Sequence, residues 1–86
     1  MLDRVVVVTG GASGIGNASV RAFASQGAKV AIWDQSEETC KIAETISREF
    51  EATVFGVKTD VANEADVQAS LKTTLDKFGS IDHLVH

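Results

Sequence analysis

The sequence predicts an α/β fold in which helices cover both faces of a parallel sheet. Four short apolar segments alternate with three longer segments whose apolar residues recur at helical spacing. The first apolar segment, Arg4 to Val8, has no polar alternation, so we expect it to be buried on both faces at the centre of the sheet. A glycine-rich stretch joins this segment to the first helix.

Three further strands are predicted along the chain. Lys29 to Trp33 ends at Asp34, Thr53 to Lys58 leads into Thr59-Asp60-Val61, and a fourth strand starts at Asp82. Strands that alternate with helices are joined by right-handed crossovers, so the sheet should be parallel. We expect a doubly wound sheet with the spatial order 3-2-1-4, truncated after the fourth strand.

Each predicted helix has recognisable start and stop signals. The first runs from about Gly14 to Gln26, and Gly27 is suited to cap its C-terminus. Ser36 is predicted to be the N-cap of the second helix, and acidic residues follow in its first turn, Glu37 and Glu38. Asn63 is predicted to cap the third helix, which ends at Gly79.

Apolar positions at helical spacing predict which side of each helix faces the sheet. In the first helix these positions are Ile15, Ala18, Ala22 and Phe23. In the second helix they are Ile42, Ala43, Ile46 and Phe50. In the third helix they are Val67, Leu71, Leu75 and Phe78.

Length and composition predict a single small domain over residues 1–86. The net charge of −4 argues against a nucleic-acid or anionic-membrane surface, and no apolar run approaches membrane-spanning length. The one cysteine, Cys40, cannot form an internal disulfide, so we expect a reduced, cytoplasmic setting. Two histidines without a third ligand, His83 and His86, make a poor metal site, so no metal is expected.

The stretch from Thr9 to Gly16 predicts a phosphate-binding turn. It follows a strand and opens a helix, where unpaired N–H groups attract phosphate. Gly10 permits a sharp exit from the strand, Gly14 the close approach of a diphosphate, and Gly16 tight packing of the helix on the sheet. An ordinary tight turn is the alternative for a lone glycine cluster. No Lys-Ser/Thr pair follows, which excludes a Walker-type loop.

Asp34 is the second feature that predicts nucleotide binding. A carboxylate at the end of the second strand can accept hydrogen bonds from both hydroxyls of an adenosine ribose and would repel the 2′-phosphate of NADP. No arginine follows Asp34, and Ser13 rather than a basic residue lies in the turn. The sequence therefore favours NAD. The alternative is a solvated aspartate that ends a strand or caps the next helix.

The whole chain resembles the short-chain dehydrogenase/reductase family. The stretch from Thr9 to Gly16 is similar to that family's Thr-Gly-x-x-x-Gly-Ile-Gly motif, and Phe78 to Val85 is similar to its approach to the fourth strand. The resemblance implies a Rossmann-like fold. It also implies that Ser13 and Ile15 contact the pyrophosphate side of the cofactor. The predicted cofactor-binding residues are Gly10, Ser13, Gly14, Ile15, Gly16, Asp34, Asp60 and Val61, the last two beside the adenine.

The resemblance implies an oxidoreductase that interconverts an alcohol and a ketone by hydride transfer. The family's catalytic serine and its Tyr-x-x-x-Lys pair have no counterpart here, since the chain contains no tyrosine, and His86 stands where the family's Asn-Asn-Ala-Gly begins. No catalytic residue is therefore assigned. We expect the 86 residues to be the N-terminal cofactor-binding portion of a longer enzyme and to be inactive alone.

Two alternatives to a cofactor-binding portion of an enzyme stay open at this point. The chain could be a non-catalytic adenine-nucleotide-binding or regulatory module, or a product without function. The partners implied by the resemblance are a dinucleotide cofactor and, for the longer enzyme, a small alcohol or ketone substrate. A homo-oligomer is compatible with the family, whose oligomer interfaces lie largely beyond the matching segment.

Overall fold

A computed structural model describes residues 2–86 as four parallel strands and three helices. The strands are β1 (Val5–Thr9), β2 (Lys29–Asp34), β3 (Val54–Lys58) and β4 (His83–Val85), and the helices are α1 (Gly14–Ser25), α2 (Thr39–Phe50) and α3 (Glu64–Phe78). The sheet has the order β3-β2-β1-β4 with every pair parallel, so the predicted doubly wound topology is confirmed. Met1, the first residue of the predicted domain, lies outside the described residues.

Apolar layers cover both faces of the sheet. Successive strand residues alternate between faces. One face packs against α1 and α2, through Val6, Val8, Val20, Ala24, Val30, Ile32, Ala43 and Ile46. The other face packs against α3, through Val7, Ala31, Trp33, Val67, Leu71 and Phe78. The expected burial of the first strand on both faces is confirmed, because its four valines are at most 2% exposed. No helix within residues 2–86 is long and apolar enough to cross a membrane.

The side of α1 that faces the sheet differs from the prediction, since only Phe23 of the four predicted positions packs against the core. Val20 and Ala24 are its buried residues, whereas Ile15 is 88% exposed. Two other predicted positions, Ala18 and Ala22, are exposed as well. The rotation of the helix follows from Gly16, where a Cβ would lie only 2.1 Å from the carbonyl oxygen of the turn. Positions 16, 20 and 24 recur at helical spacing, so this contact turns Val20 and Ala24 inward.

The inner side of α3 is partly polar, which also differs from the prediction. Leu75 is 39% exposed, while Ser70 and Thr74 are buried. The Trp33 indole N–H donates to Thr74 Oγ1 at 3.1 Å, and the hydroxyls of Thr59 and Ser70 lie 2.6 Å apart. These buried hydroxyls have partners, so α3 can turn them towards the sheet at little cost.

The predicted helix ends are correct for α3 and wrong for the start of α2. The Asn63 side chain caps α3 by accepting from the Asp66 N–H at 3.0 Å. Helix α2 begins at Thr39 rather than directly after Ser36, so Glu37 and Glu38 precede its first turn. Ser36 is not the N-cap because its hydroxyl accepts from the Glu38 N–H at 3.1 Å and closes a turn before the helix.

The other predicted features of the helices agree with the structure. Helix α1 ends at Ser25, and Gly27 follows with a φ of +82°. Gly79 ends α3 with a φ of +84°. The predicted stripe of α2 is confirmed, since Ala43 and Ile46 are buried and Ile42 and Phe50 pack against them.

The substitution Thr74→Val tests the hydroxyl that accepts from the buried indole. Valine leaves the Trp33 N–H without this acceptor, so we expect the free energy of unfolding to fall by about 1–3 kcal/mol. Thr73→Val is the matched control, because the exposed Thr73 hydroxyl donates only to the Ala69 carbonyl at 3.0 Å. Its effect should stay within about 0.5 kcal/mol. Urea unfolding, monitored by the fluorescence of Trp33, measures the free energy of unfolding of both variants. Equal losses of free energy in the two variants would contradict this role of Thr74.

Candidate functional site

The four parallel strands end at one edge of the sheet, where the predicted site residues lie. Strand β1 stands between β2 and β4, and the chain leaves it through α1 towards β2. The direction in which strands are added therefore reverses between β1 and β4. In doubly wound sheets this reversal leaves a crevice at the carboxyl ends of the strands, where ligands bind. At this edge the end of β1 contacts the residue that follows β4, because Thr9 Oγ1 lies within hydrogen-bond distance, 2.9 Å, of His86 Nδ1.

The glycine turn leads from β1 into α1. Gly10 and Gly14 have φ values of +67° and +58°, in the left-handed region that favours glycine. A Cβ on either residue would meet no atom within 4 Å, so space is open beside this backbone. A Cβ on Gly16 would instead collide with the carbonyl of Gly10 at 2.1 Å. Gly16 therefore packs closely against the turn itself, whereas the sequence predicts that it packs closely against the sheet.

The N-terminus of α1 is left without a side-chain cap. Ser13 is the N-cap residue, but its hydroxyl makes no capping hydrogen bond and no acidic residue follows in the first turn. Helix α3 differs, because Asn63 caps it and Glu64 and Asp66 lie in its first turn. The first N–H groups of α1 therefore remain available to an anion, which a helix N-terminus favours.

The carboxylate of Asp34 joins the end of β2 to the glycine turn. Its Oδ2 accepts from the Ala12 N–H at 3.0 Å, and its Oδ1 accepts from the Ser36 N–H at 3.0 Å. Each carboxylate oxygen can accept two hydrogen bonds. Both oxygens therefore keep one acceptor position that a ribose hydroxyl could use.

A groove of about 360 Å³ lies over the ends of β1, β2 and β3, lined by Gly10, Trp33, Asp34, Thr59, Asp60 and Val61 among others. Val61 is 47% exposed and gives the groove an apolar wall. Asp60 is held in a turn, because its Oδ1 accepts from the Ala62 N–H at 3.0 Å and its own N–H donates to Asp66 at 2.8 Å.

A second groove of about 430 Å³ separates α1 from α2 on the other side of the turn. Ser13 and Gly14 line it, together with Asn17, Arg21 and Lys41. The structure thus gathers four predicted residues, Gly10, Asp34, Asp60 and Val61, around the first groove, and two, Ser13 and Gly14, around the second. Two predicted residues line neither groove, since Ile15 projects into solvent and Gly16 lies against the turn. Among residues 2–86 no three histidine, cysteine or acidic side chains form a cluster that could hold a metal.

An ion pair links the loop that follows Asp34 to β3. Glu37 in this loop pairs with Lys58, whose backbone lies opposite Asp34 in the sheet register. The hydrogen bond from Lys58 to Glu37 and the charge of that carboxylate raise the pKa of Lys58 above its ordinary value. Lys58 is charged at neutral pH, and the contribution of the pair is lost only as the pH rises through the raised pKa.

Sequence reasoning missed two residues of the turn, Gly11 and Ala12, and one residue of α1, Asn17. Gly11 must be small because a Cβ there would meet the Ile32 side chain at 2.9 Å. Ala12 contributes its backbone N–H, which side-chain identity cannot reveal. The side chain of Asn17 donates to the Gly11 carbonyl at 3.3 Å. The only signal for Asn17 is a polar residue one turn into the helix.

Residues 4–86 match the protein family described as short chain dehydrogenase. The chain belongs to this family. The 2-(R)-hydroxypropyl-CoM dehydrogenase of Xanthobacter autotrophicus is 41% identical over 86 residues, which are 99% of this chain and 34% of that protein. The chain therefore spans about a third of the length of this relative.

Solved structures of this family have the same fold. A short chain dehydrogenase/reductase from Burkholderia phymatum in complex with NAD superposes with a TM-score of 0.90 at 38% identity, covering 96% of this chain and 30% of that one. L-sorbose reductase from Gluconobacter frateurii, complexed with NADPH and L-sorbose, gives a TM-score of 0.89 at 32% identity over 96% and 32%. These similarities confirm a Rossmann-like, nucleotide-binding region of an oxidoreductase family without selecting between NAD and NADP.

The substitutions Gly16→Ala and Gly14→Ala separate close approach from backbone conformation. At Gly14 the new Cβ has room, so only the left-handed φ is unfavourable, which costs about 1–2 kcal/mol. At Gly16 the Cβ collides with backbone that can yield only if the turn moves. We expect Gly16→Ala to lower the free energy of unfolding by the larger amount in urea titrations. A smaller loss than that of Gly14→Ala would contradict the close contact.

Proposed function

We propose that this chain binds NAD through its adenosine diphosphate half, as the N-terminal cofactor-binding part of an oxidoreductase that interconverts an alcohol and a ketone. The observation that carries the proposal is the position of the Asp34 carboxylate. It contacts the glycine turn through Ala12 and also lines the groove over the strand ends. A diphosphate on the turn and a ribose on Asp34 would therefore lie side by side, as they do in a nucleotide.

The glycine turn is suited to hold the diphosphate. Open space lies beside Gly10 and Gly14, so no side chain obstructs the approach of a ligand to this backbone. The N-terminus of α1, after Ser13, has neither a side-chain cap nor an acidic residue that would compete for its N–H groups. Backbone N–H donors and the positive end of the helix dipole are together a common phosphate site. We assign Ile15 and Gly16 to the same site through their backbone, since both lie in this first turn.

The Asp34 carboxylate is suited to select NAD. Its two remaining acceptor positions match the two hydroxyls of an adenosine ribose. A 2′-phosphate at the same place would bring negative charge against the carboxylate. Two of the neighbouring cations already have acidic partners, since Lys58 is paired with Glu37 and Arg21 with Glu49.

The far end of the first groove is suited to the adenine. The exposed side chain of Val61 supplies an apolar surface on which a planar base can rest. Asp60 holds the loop in place through its bonds to Ala62 and Asp66. Trp33 is not assigned to the adenine, because its side chain is buried in the core and its N–H is bonded to Thr74.

The chemistry of the cofactor would be hydride transfer at the nicotinamide. The residues of this chain bind and orient the adenosine end, and none of them is assigned to move a proton for that transfer. We therefore expect the 86 residues to bind cofactor without turnover. The substrate class, a small alcohol or ketone, is inferred from the family alone, because the chain spans about a third of its relatives.

Titration calorimetry with NAD, ADP and NADP tests the proposal. We expect NAD and ADP to bind with similar affinity and NADP more weakly. The substitution Asp34→Ala removes charged hydrogen bonds to the ribose, so NAD affinity should fall roughly tenfold or more and the preference over NADP should narrow. Asp76→Ala is the control, since Asp76 is an exposed carboxylate on α3 that pairs with Lys72. Absence of ADP binding would contradict the proposal, and unchanged selectivity in Asp34→Ala would contradict the ribose role.

A further inference from the structure

One peptide group of the glycine turn is held at both ends by side chains. The carbonyl of Gly11 accepts from Asn17 Nδ2 at 3.3 Å, and the adjoining N–H of Ala12 donates to Asp34 Oδ2 at 3.0 Å. These two groups belong to the same planar peptide bond, so the two contacts together fix the orientation of its plane. We call this arrangement the Gly11–Ala12 clamp.

The Asn17 end of the clamp is braced by α2. Asn17 Oδ1 accepts from Arg21 Nε at 3.0 Å, and Arg21 Nη1 donates to Glu49 at 2.5 Å. A guanidinium group can only donate hydrogen bonds, so it requires the oxygen of the Asn17 amide on its side. The amide nitrogen is thereby directed to the Gly11 carbonyl.

The Asp34 end is fixed in a comparable way. Its second oxygen accepts from the Ser36 N–H at 3.0 Å, so the carboxylate is held between the turn and the loop after β2. Both ends of the clamp come from outside the turn, one from β2 and one from α1. The clamped peptide immediately precedes Ser13 and the free N–H groups of α1, so its orientation sets where those donors lie.

We propose that Asp34 and Asn17 are positioning residues for the diphosphate, which hold the turn in its binding shape before any ligand arrives. Asp34 then contributes twice, once through the ribose hydroxyls and once through the turn. A side chain that only binds ribose would add nothing to the affinity for a nucleotide without hydroxyls, whereas the clamp would. The identity of the ligand rests on the proposed function, whereas the two hydrogen bonds of the clamp do not depend on it.

The test compares ADP with 2′,3′-dideoxyadenosine diphosphate, which lacks the ribose hydroxyls. Calorimetry on the chain and on Asp34→Ala measures how much affinity the substitution removes. We expect the affinity for the dideoxy ligand to fall roughly tenfold and the affinity for ADP to fall further. Asn17→Leu should weaken both ligands by the same factor, because Asn17 does not line the ribose groove. Gln26→Leu is the matched control, an exposed amide at the far end of α1, and should change neither affinity.

Unchanged dideoxy-ligand affinity in Asp34→Ala would overturn the positioning role while leaving the ribose role intact. Hydrogen exchange of the Ala12 amide in the ligand-free chain gives a second, independent readout. Asp34→Ala should speed this exchange at least about tenfold, because the N–H loses its acceptor, and Gln26→Leu should not. Unchanged exchange would overturn the clamp. If ADP does not bind but Asp34→Ala still speeds exchange of the Ala12 amide, the proposed function is rejected and the clamp is supported.

Discussion

Helix α1 begins against the carbonyl oxygen of Gly10 at a distance that only a glycine at position 16 allows. Much of the structure depends on this contact. It fixes the rotation of α1, so that Val20 and Ala24 enter the core while Ile15 stays in solvent. It also brings the uncapped start of the helix directly onto the turn. The same packing that stabilises the sheet therefore creates the donor-rich edge at which an anion can bind.

The order of the elements could be predicted from local sequence patterns, and the order of the strands followed from the rules for doubly wound sheets. Apolar runs, helical spacing and a cap such as Asn63 act over a few residues. The inward side of α1 could not be predicted in this way. Helix α1 carries two stripes at helical spacing, and only the contact between Gly16 and Gly10 selects one. In α3 the apolar inward positions Val67, Leu71 and Phe78 could be predicted, but the buried hydroxyl residues Ser70 and Thr74 could not. The hydroxyl of Thr74 donates to the Ser70 carbonyl, but it also accepts from Trp33, which lies 41 residues away in sequence and which local patterns do not reveal.

The candidate site divides along similar lines. The spacing of the glycines and the aspartate at the end of β2 predict the site, because the missing side chains and the carboxylate are themselves the groups that would meet a ligand. The sequence does not reveal that Asp34 also accepts from the Ala12 N–H, since backbone groups have no sequence signature. Nor does it reveal Asn17, whose partner is a carbonyl. Structures with NAD and with NADPH both resemble this chain, so membership of the family does not by itself select the cofactor.

The central claim is that the turn and the groove beside it bind the adenosine diphosphate half of a dinucleotide. A titration of the isotope-labelled chain with ADP, followed by the two-dimensional amide NMR spectrum, tests it most directly. We expect the largest chemical-shift changes at the amides of Gly14, Ile15 and Gly16, with smaller ones at Val61. An unchanged spectrum at the turn, or shifts confined to the amides of α2 around Lys41, would contradict it.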